Sequence, residues 1–372
     1  MRVVSVEMRD FRSYARAEAW LGSGLTVLHG ANGAGKSNLL EALYFGCTGR
    51  SARTRNEREL VRIGARTARV AVRVHDGEHE HELAVGYEAG VVGERAEKRM
   101  SCDGAAVERL LDAPCRPLVS VFLPERLELV KGPPSLRRAH LDQVVSAIWP
   151  ARSDARGQYG RVLAQRSALL ARIRAGGASQ STLATWDREL ARWALALRAH
   201  RGEAVSLLRE PFKERCAQLG CGDGVSLEYR PRSRAPDEDA FVAELRERLA
   251  SDLERGFCGH GPHRDELAIV REGRELRTYG SQGEQRLALL ALLLAERAVL
   301  ARERLSTPLM LLDDVMSELD GERRELLARE LASAGQSVIA TTDLDHVPGA
   351  MDASVTRLRI SPGTVLQEAI AA

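Results

Sequence analysis

The sequence predicts an α/β fold in which strand-rich ends build one lobe and a mostly helical segment is inserted between them. Three observations carry this expectation. An apolar strand at Leu25–Leu28 runs through His29 into a glycine-rich turn, and Ser37–Phe45 then reads as a helix. Near the other end, the apolar run Leu309–Asp313 closes on paired carboxylates. Between them, from about Pro134 to Leu253, apolar residues recur at helical rather than alternating spacing.

Taken in order, Met1–Asp10 reads as a strand, and Thr67–Val74 and His81–Tyr87 alternate around Asp76-Gly77, a hairpin signal. Pro117–Leu123 is a further apolar strand. In the middle, Leu163, Leu169, Leu170 and Ile173 share one helix face, and Trp186, Leu190, Trp193 and Leu197 another, with Gly176-Gly177 between the two helices. Strands return at Leu267–Val270 and Arg274–Arg277. A long apolar helix over 284–303, the strand Leu309–Asp313, a helix from Glu322 and a strand at Ser337–Thr341 complete the order. The expected division is one lobe from 1–125 and 257–372, with a helical lobe at 126–256.

A chain of 372 residues has room for two lobes, and 44% hydrophobic with 28% charged residues is ordinary globular composition. The net charge is only +2, so any nucleic-acid surface must be a local patch. Of the 54 basic residues only Lys36, Lys98, Lys131 and Lys213 are lysines. That skew reads as a GC-rich genome, so arginine density carries little weight. The most basic long stretch is 151–220, with 13 basic against 6 acidic residues.

Cysteines 47, 102, 115, 216, 221 and 258 form no C-x-x-C pair, and Cys216 and Cys221 have no matching His or Cys pair nearby. The pattern argues against zinc and fits a reducing compartment. The start MRVVSVEMRDF carries charges where a signal peptide needs an apolar core. The most apolar run, Leu287–Ala295, stops at Glu296 and Arg297, too short to span a bilayer. A cytoplasmic, nucleoid-associated protein without membrane contact is expected.

Gly30-Ala31-Asn32-Gly33-Ala34-Gly35-Lys36-Ser37 satisfies the P-loop pattern G-x-x-x-x-G-K-[ST], between a strand and a helix as that motif requires. Backbone N–H groups and the positive helix start would cradle phosphate. Lys36 would reach the β- and γ-phosphates, and the Ser37 hydroxyl would ligate Mg²⁺. The strand Leu309-Met-Leu-Leu-Asp313-Asp314 has the Walker B form. Asp313 would hold Mg²⁺, and Asp314 would position or deprotonate the attacking water. ATP and Mg²⁺ are the expected ligands. Ser281-Gln282-Gly283-Glu-Gln-Arg286 opens the long helix, and Ser317-Glu-Leu-Asp320 follows the Walker B strand.

These four motifs, in this order, resemble those of ABC-type ATPases: P-loop, signature, Walker B and D-loop. Asn32 and Ser37-Asn38-Leu-Leu-Glu-Ala point to the SMC-like branch. The resemblance implies an ABC-type head with an inserted helical lobe, in which Ser281, Gln282 and Gly283 of one subunit close over ATP held by another. The interval between Ser37 and Ser281 is too short for long coiled-coil arms.

Three further stretches resemble the RecF family. They are Phe122-Leu-Pro124-Glu125 continuing through Lys131-Gly132 to Arg137-Arg138 and Asp142, then Gly261-Pro262-His263-Arg264-Asp265, and Leu311 to Asp320. With Phe11-Arg12-Ser13-Tyr14 the likeness covers almost the whole chain. Membership would imply an ATP-dependent homodimer with weak, DNA-stimulated hydrolysis. It would bind single-stranded, duplex and gapped DNA and act with RecO and RecR. It would help load RecA in recombinational repair, replication-fork maintenance and the SOS response.

Two departures stand out: Thr342 or Asp343 occupies the place of the ABC switch histidine, and Arg126 follows Glu125 where many relatives have Asp. Glu125 is nonetheless a catalytic candidate beside Lys36 and Asp314, as part of a loop sensing the γ-phosphate.

Arg50, Arg53, Arg55 and Arg58, just past the P-loop helix, are the DNA-contact candidates, with Arg137, Arg138 and the basic helical lobe behind them. With 4% aromatic residues, base stacking is not expected to dominate. His263 with Arg264 and Asp265 is read as structural or nucleotide-gating rather than as a hydrolase triad, and His75, His79 and His81 as a solvated strand. Another SMC-like DNA-repair ATPase, a transporter's ATP-binding subunit and an ATP-gated nuclease are the competing classes. The stretches at 122–142 and 261–265 argue against the transporter, and no residues remain for a nuclease domain.

Overall fold

A computed structural model describes residues 1–90, 96–333 and 335–368. Along the chain, β1 (Arg2–Phe11) and β2 (Tyr14–Trp20) form a hairpin, and β3 (Leu25–His29) leads into α1 (Lys36–Thr48). Next come β4 (Thr67–His75), β5 (Glu80–Glu88), β6 (Glu97–Cys102), β7 (Ala105–Ala106) and β8 (Val119–Phe122). The helices α2 (Glu128–Lys131), α3 (Pro134–Ile148), α4 (Asp154–Arg174) and α5 (Leu183–Gln218) follow. After β9 (Val225–Arg230) come α6 (Glu238–Glu247), α7 (Leu249–Arg255), β10 (Glu266–Arg271), β11 (Arg274–Glu275) and α8 (Leu276–Tyr279). The remainder is α9 (Gln282–Arg304), β12 (Leu309–Asp313), α10 (Gly321–Ser333), β13 (Ser337–Thr341), β14 (Thr356–Ser361) and β15 (Thr364–Gln367).

The chain forms two compact units, 1–126 with 300–372, and 127–299. In the first, an antiparallel sheet runs β2-β1-β4-β5-β6-β7, and a second, mostly parallel sheet runs β15-β14-β3-β13-β12-β8. β13 is buried at every residue, with Val338, Ile339 and Ala340 apolar between Ser337 and Thr341, as expected of a parallel strand covered on both faces. One core joins the two sheets: Leu39, Leu40, Leu43 and Phe45 of α1 pack with Met8, Val70 and Val72 from one and Leu28, Leu311 and Val338 from the other. Each such fully buried side chain contributes about 1.5–3 kcal/mol. Because β8, β12, β13 and β3 are mutually parallel neighbours, their C-terminal ends share one sheet edge. The loops after His29, Phe122, Asp313 and Thr341 leave from that edge, where open α/β sheets bind ligands.

In the second unit, α4, α5 and α6 enclose Leu170, Leu190, Ala194, Leu197, Phe241 and Leu245, and a small antiparallel sheet runs β11-β10-β9. Buried ion pairs cross-link this unit: Arg166 donates to Asp187 at 2.6 Å and Asp252 at 3.0 Å. Arg201 donates to Asp142 at 2.8 Å and Asp265 at 3.2 Å.

Three differences from the sequence reading have physical causes. β9 is a strand inside the stretch read as helical; Val225 and Leu227 alternate inward, and the strand pairs in register with β10. Arg274–Arg277 is a strand only at Arg274–Glu275, after which Leu276–Tyr279 turns helical. The second unit ends at 299 rather than 256, because β10 and the start of α9 belong to the same compact body as β9. Strands β2, β6, β7, β14 and β15 lie beyond those read from the sequence and make up the outer parts of the two six-stranded sheets. Among the described residues no helix is long and apolar enough to cross a membrane.

Candidate nucleotide-binding site

The first unit builds its site at the end of β3. Gly30 has φ 153°, and a Cβ there would run into the carbonyl oxygen of Ile360. Gly35 has φ 116°, and its Cβ would come within 2.8 Å of the Tyr14 hydroxyl. Only glycine serves at either position. The Tyr14 hydroxyl donates to the Gly35 carbonyl at 3.0 Å, and Asn38 Nδ2 donates to Ser13 Oγ at 2.9 Å. The turn Phe11–Tyr14 therefore braces the loop from outside.

Lys36 opens α1, and its ammonium donates to the carbonyls of Gly30 at 2.6 Å and Ala31 at 2.9 Å. Burial lowers its pKa, opposed by the nearby charges of Asp313 and Asp314. Asn32 and Gly33 are exposed, and Ala34 is buried under the loop.

Asp313 ends β12 beside Ala340 of β13. Its carboxyl is pushed up, mainly by burial and further by Asp314 and Glu125; a hydrogen bond from Ser37 and the charge of Arg53 act the other way. Two hard oxygen donors, one hydroxyl and one carboxylate, thus adjoin at the loop, a donor set that fits Mg²⁺. Asp314 sits in the left-handed region at φ 49°, its N–H bonded to the Ala340 carbonyl at 3.0 Å, with an exposed side chain. Glu125, in the 3₁₀ turn after β8, is ion-paired to Arg53 at 3.2 Å. Lys36, Ser37, Asp313, Asp314 and Glu125 are brought to one edge of one sheet.

Sequence reasoning missed the anchor beneath this edge. Glu41 is fully buried and accepts from Arg12 at 2.8 and 2.9 Å, from Ser51 at 2.5 Å and from Arg53 at 3.5 Å. A carboxylate one helical turn past Ser37 on an otherwise apolar helix face was the available signal. Arg53 also donates to Asn38 Oδ1 at 3.2 Å. Grouped in sequence with a proposed DNA-contacting stretch, it is bonded here to Glu41, Asn38 and Glu125, since a guanidinium near a buried carboxylate is held there. Arg50, Arg55 and Arg58 are exposed. Thr342 and Asp343 are also exposed and follow Thr341, which pairs with His29 just before the loop. The Asp343 side chain accepts from the Asp345 N–H at 3.0 Å.

In the second unit, Ser281 and Glu284 form a capping box: the Ser281 N–H donates to Glu284 Oε2 at 2.7 Å, and the Glu284 N–H to Ser281 Oγ at 3.3 Å. Gln285 Nε2 reaches the carbonyls of Leu276 at 2.9 Å and Gly280 at 3.2 Å, fixing the turn before the helix. Ser281, Gln282 and Gly283 are all exposed. The first N–H groups of a helix have no carbonyl within it to bond.

His263 is not part of a triad. Its ring bonds the Tyr159 hydroxyl at 2.6 Å and the Cys258 carbonyl at 3.1 Å, while Asp265 turns to Arg201, to Tyr229 at 2.5 Å and to the Arg232 N–H at 2.7 Å. Burial pushes the His263 imidazole down to about 4. Arg137 is buried against Glu266 at 2.6 Å, and Arg138 donates to the Asp265 carbonyl at 2.9 Å.

Residues 2–359 match the RecF/RecN/SMC N-terminal domain family. The chain is similar to the DNA replication and repair protein RecF of Heliobacterium modesticaldum, at 36% identity over 93% of each chain. To the protein of the same name from Herpetosiphon aurantiacus it is 35% identical, over 98% of this chain and 99% of the relative. Among solved structures it resembles the recombination mediator protein RecF with ATP, of the RecFOR pathway, with a TM-score of 0.84 at 27% identity over 99% of this chain and 97% of that one. The architecture is the α/β, ABC-type head of SMC-like ATPases. By these matches the chain belongs to the RecF family, within the wider RecF/RecN/SMC group.

Proposed function

We propose that this chain is an ATP-dependent DNA-binding protein of recombinational repair and replication-fork maintenance. It closes as an ATP-gated dimer on gapped DNA, with single-stranded and duplex arms, and hydrolyses ATP weakly, faster with DNA. With RecO and RecR it helps load RecA, also in the SOS response, as a cytoplasmic, nucleoid-associated protein. One observation carries the reading. The P-loop is exposed at Asn32 and Gly33, and the capped start of α9 is exposed at Ser281, Gln282 and Gly283.

In this reading Gly30, Ala31, Asn32, Gly33, Ala34 and Gly35 wrap the phosphates with backbone N–H groups. Lys36 exchanges the Gly30 and Ala31 carbonyls for phosphate oxygens. Ser37 and Asp313 would hold Mg²⁺, which when bound neutralises phosphate charge. Asp314 holds the attacking water and takes its proton on a carboxylate oxygen. Glu125, released from Arg53, senses the γ-phosphate. Ser281, with the N–H groups of Gln282 and Gly283, meets that phosphate from a second subunit. Thr342 or Asp343 stands in for the switch histidine.

DNA contact falls to Arg50, Arg53, Arg55 and Arg58, doubled by dimerisation. Each duplex phosphate neutralised adds about −0.9 to the slope of log affinity against log salt. Binding of gapped DNA should therefore tighten and its slope steepen when ATP is added. Replacing the exposed Arg50, Arg55 and Arg58 by Ala should flatten the slope by no more than about 3 per subunit, with ATP binding intact. Equal DNA affinity with and without ATP would sink the gated reading.

A further inference from the structure

We propose that His81, Cys102, Asp103 and Cys115 form a binding site for a thiophilic divalent cation of the zinc class, with Asp76 supporting His81 from behind. No local motif announces it, because three separate segments supply the donors. β5 and β6 are antiparallel neighbours with Leu83 opposite Cys102, so the turn after β6 returns beside the start of β5. There the Glu82 N–H donates to Asp103 Oδ1 at 2.8 Å and the Asp103 N–H to the Glu82 carbonyl at 2.8 Å. That pair of bonds fixes the carboxylate with Oδ2 facing His81 Nδ1, 2.8 Å away. Cys115 arrives from the segment before β8 and places its Sγ 2.8 Å from Cys102 Sγ. The donor atoms of His81, Asp103 and Cys115 all lie within 4.8 Å of one another, and Cys102 Sγ is 4.0 Å from Asp103 Oδ2.

Two sulfurs, one imidazole nitrogen and one carboxylate oxygen are donors that favour zinc over Mg²⁺ or Ca²⁺. Zinc takes sulfur at about 2.3 Å and nitrogen at about 2.0 Å, so tetrahedral donors stand roughly 3.3–3.8 Å apart. The spacings here bracket that range, and side-chain shifts of about 1 Å bring them to it. On coordination each thiol would give up its proton to solvent. The outer shell is also present: Asp76 Oδ2 lies 3.3 Å from His81 Nε2, and Asp76 Oδ1 is itself held by the N–H groups of Glu78 and His79 at 2.8 Å each. A carboxylate behind a ligating imidazole fixes its tautomer and leaves the other nitrogen free to bind. The His81 and Asp103 side chains are 23% and 50% exposed, which gives a cation a way in, while Cys115 is buried. A cation here would tie the β5–β6 hairpin of one sheet to the segment entering β8, which pairs with the Asp313 strand of the other.

The test uses the full chain, purified under reducing conditions without chelator and equilibrated with buffered Zn²⁺. Elemental analysis should find about one zinc per chain, and Co²⁺ in its place should show a thiolate charge-transfer band. His81→Gln, at a partly exposed position, should keep its circular dichroism and lose the metal. Cys102→Ser should weaken the band, and Asp76→Asn should lower zinc affinity about 10–100-fold. Cys216→Ser with Cys221→Ser should leave metal content unchanged. A folded, reduced chain that takes up no zinc would overturn the proposal, leaving His81 as an imidazolium bridging Asp76 and Asp103. So would metal retained in His81→Gln, or a chain mass lower by two hydrogens that marks a Cys102–Cys115 disulfide in reducing buffer.

Discussion

In the first unit the buried charged side chains among the described residues are Lys36 and Glu41 at the P-loop helix and Arg357. In the second they are many, including Arg137, Asp142, Arg166, Asp187, Arg201, Asp252, Asp265 and Glu296. The first unit closes on two sheets and an apolar helix, and needs no charge to hold them. Its buried lysine sits at the P-loop, and its buried glutamate anchors the loop beside it through Arg12, Ser51 and Arg53. The second unit joins helices of mixed polarity, and its charges meet one another across α3, α4, α5, α7 and the loop at 261–265. Arg201 alone ties Asp142 on α3 to Asp265 and the Pro262 carbonyl, at 2.8, 3.2 and 2.7 Å. Such pairs fix which helix faces meet more than they add net stability.

The sharpest way to break this contrast is to remove a cation from each unit. Arg201→Ala removes the buried guanidinium that Asp142 and Asp265 share and should cost about 3–5 kcal/mol in chemical denaturation. Lys36→Met should cost less than about 1 kcal/mol while abolishing ATP binding. The reverse order would erase the distinction between structural and chemical charge.

Next in size is Asp314→Asn. Asn tolerates the left-handed backbone at φ 49°, so folding should be unchanged. Hydrolysis should slow roughly 10²-fold or more, about 2.7 kcal/mol of barrier, with ATP still bound. Turnover near wild type would move the water-activating role to another carboxylate, Glu125 first.

Burial, with Arg264 and Arg138 adding to it, holds His263 down to about 4 against an ordinary 6.5. The unfolded chain therefore takes up the proton first, and stability is lost as pH falls through that window. Between pH ~7 and pH ~5 the loss should approach about 2 kcal/mol. His263→Gln should flatten this part of the stability profile; an unchanged slope would assign it to other groups.

Ser281→Ala loses the side-chain half of the capping box and should cost about 1 kcal/mol. A much larger loss would mean that the start of α9 is packed rather than presented.

How much of this was legible in sequence follows from how local each feature is. The P-loop, the Asp313-Asp314 pair and the Ser281–Glu284 box are written within a few consecutive residues, and backbone geometry places them wherever the chain runs. The Glu41–Arg53–Arg12 anchor, the cysteines of β6 and the β8 approach, and the partner of β9 depend on pairing between distant segments. Arg53 shows what neighbourhood in sequence leaves out: its sequence company is basic, and its spatial company is Glu41, Asn38 and Glu125. The return boundary at 257 was misplaced for the same reason, since only the β9–β10 register shows which body that segment joins.

In the proposed function, nucleotide joins two copies of the chain through the P-loop edge of one and the exposed helix start of the other. Light scattering with size exclusion, on wild type and Ser281→Arg, with ATP, with ADP and without nucleotide, tests it most directly. Wild type should double in mass with ATP alone, while Ser281→Arg should bind ATP nearly as well and stay monomeric. A wild-type chain that remains monomeric at saturating ATP, or a Ser281→Arg chain that loses ATP binding as a monomer, would contradict it.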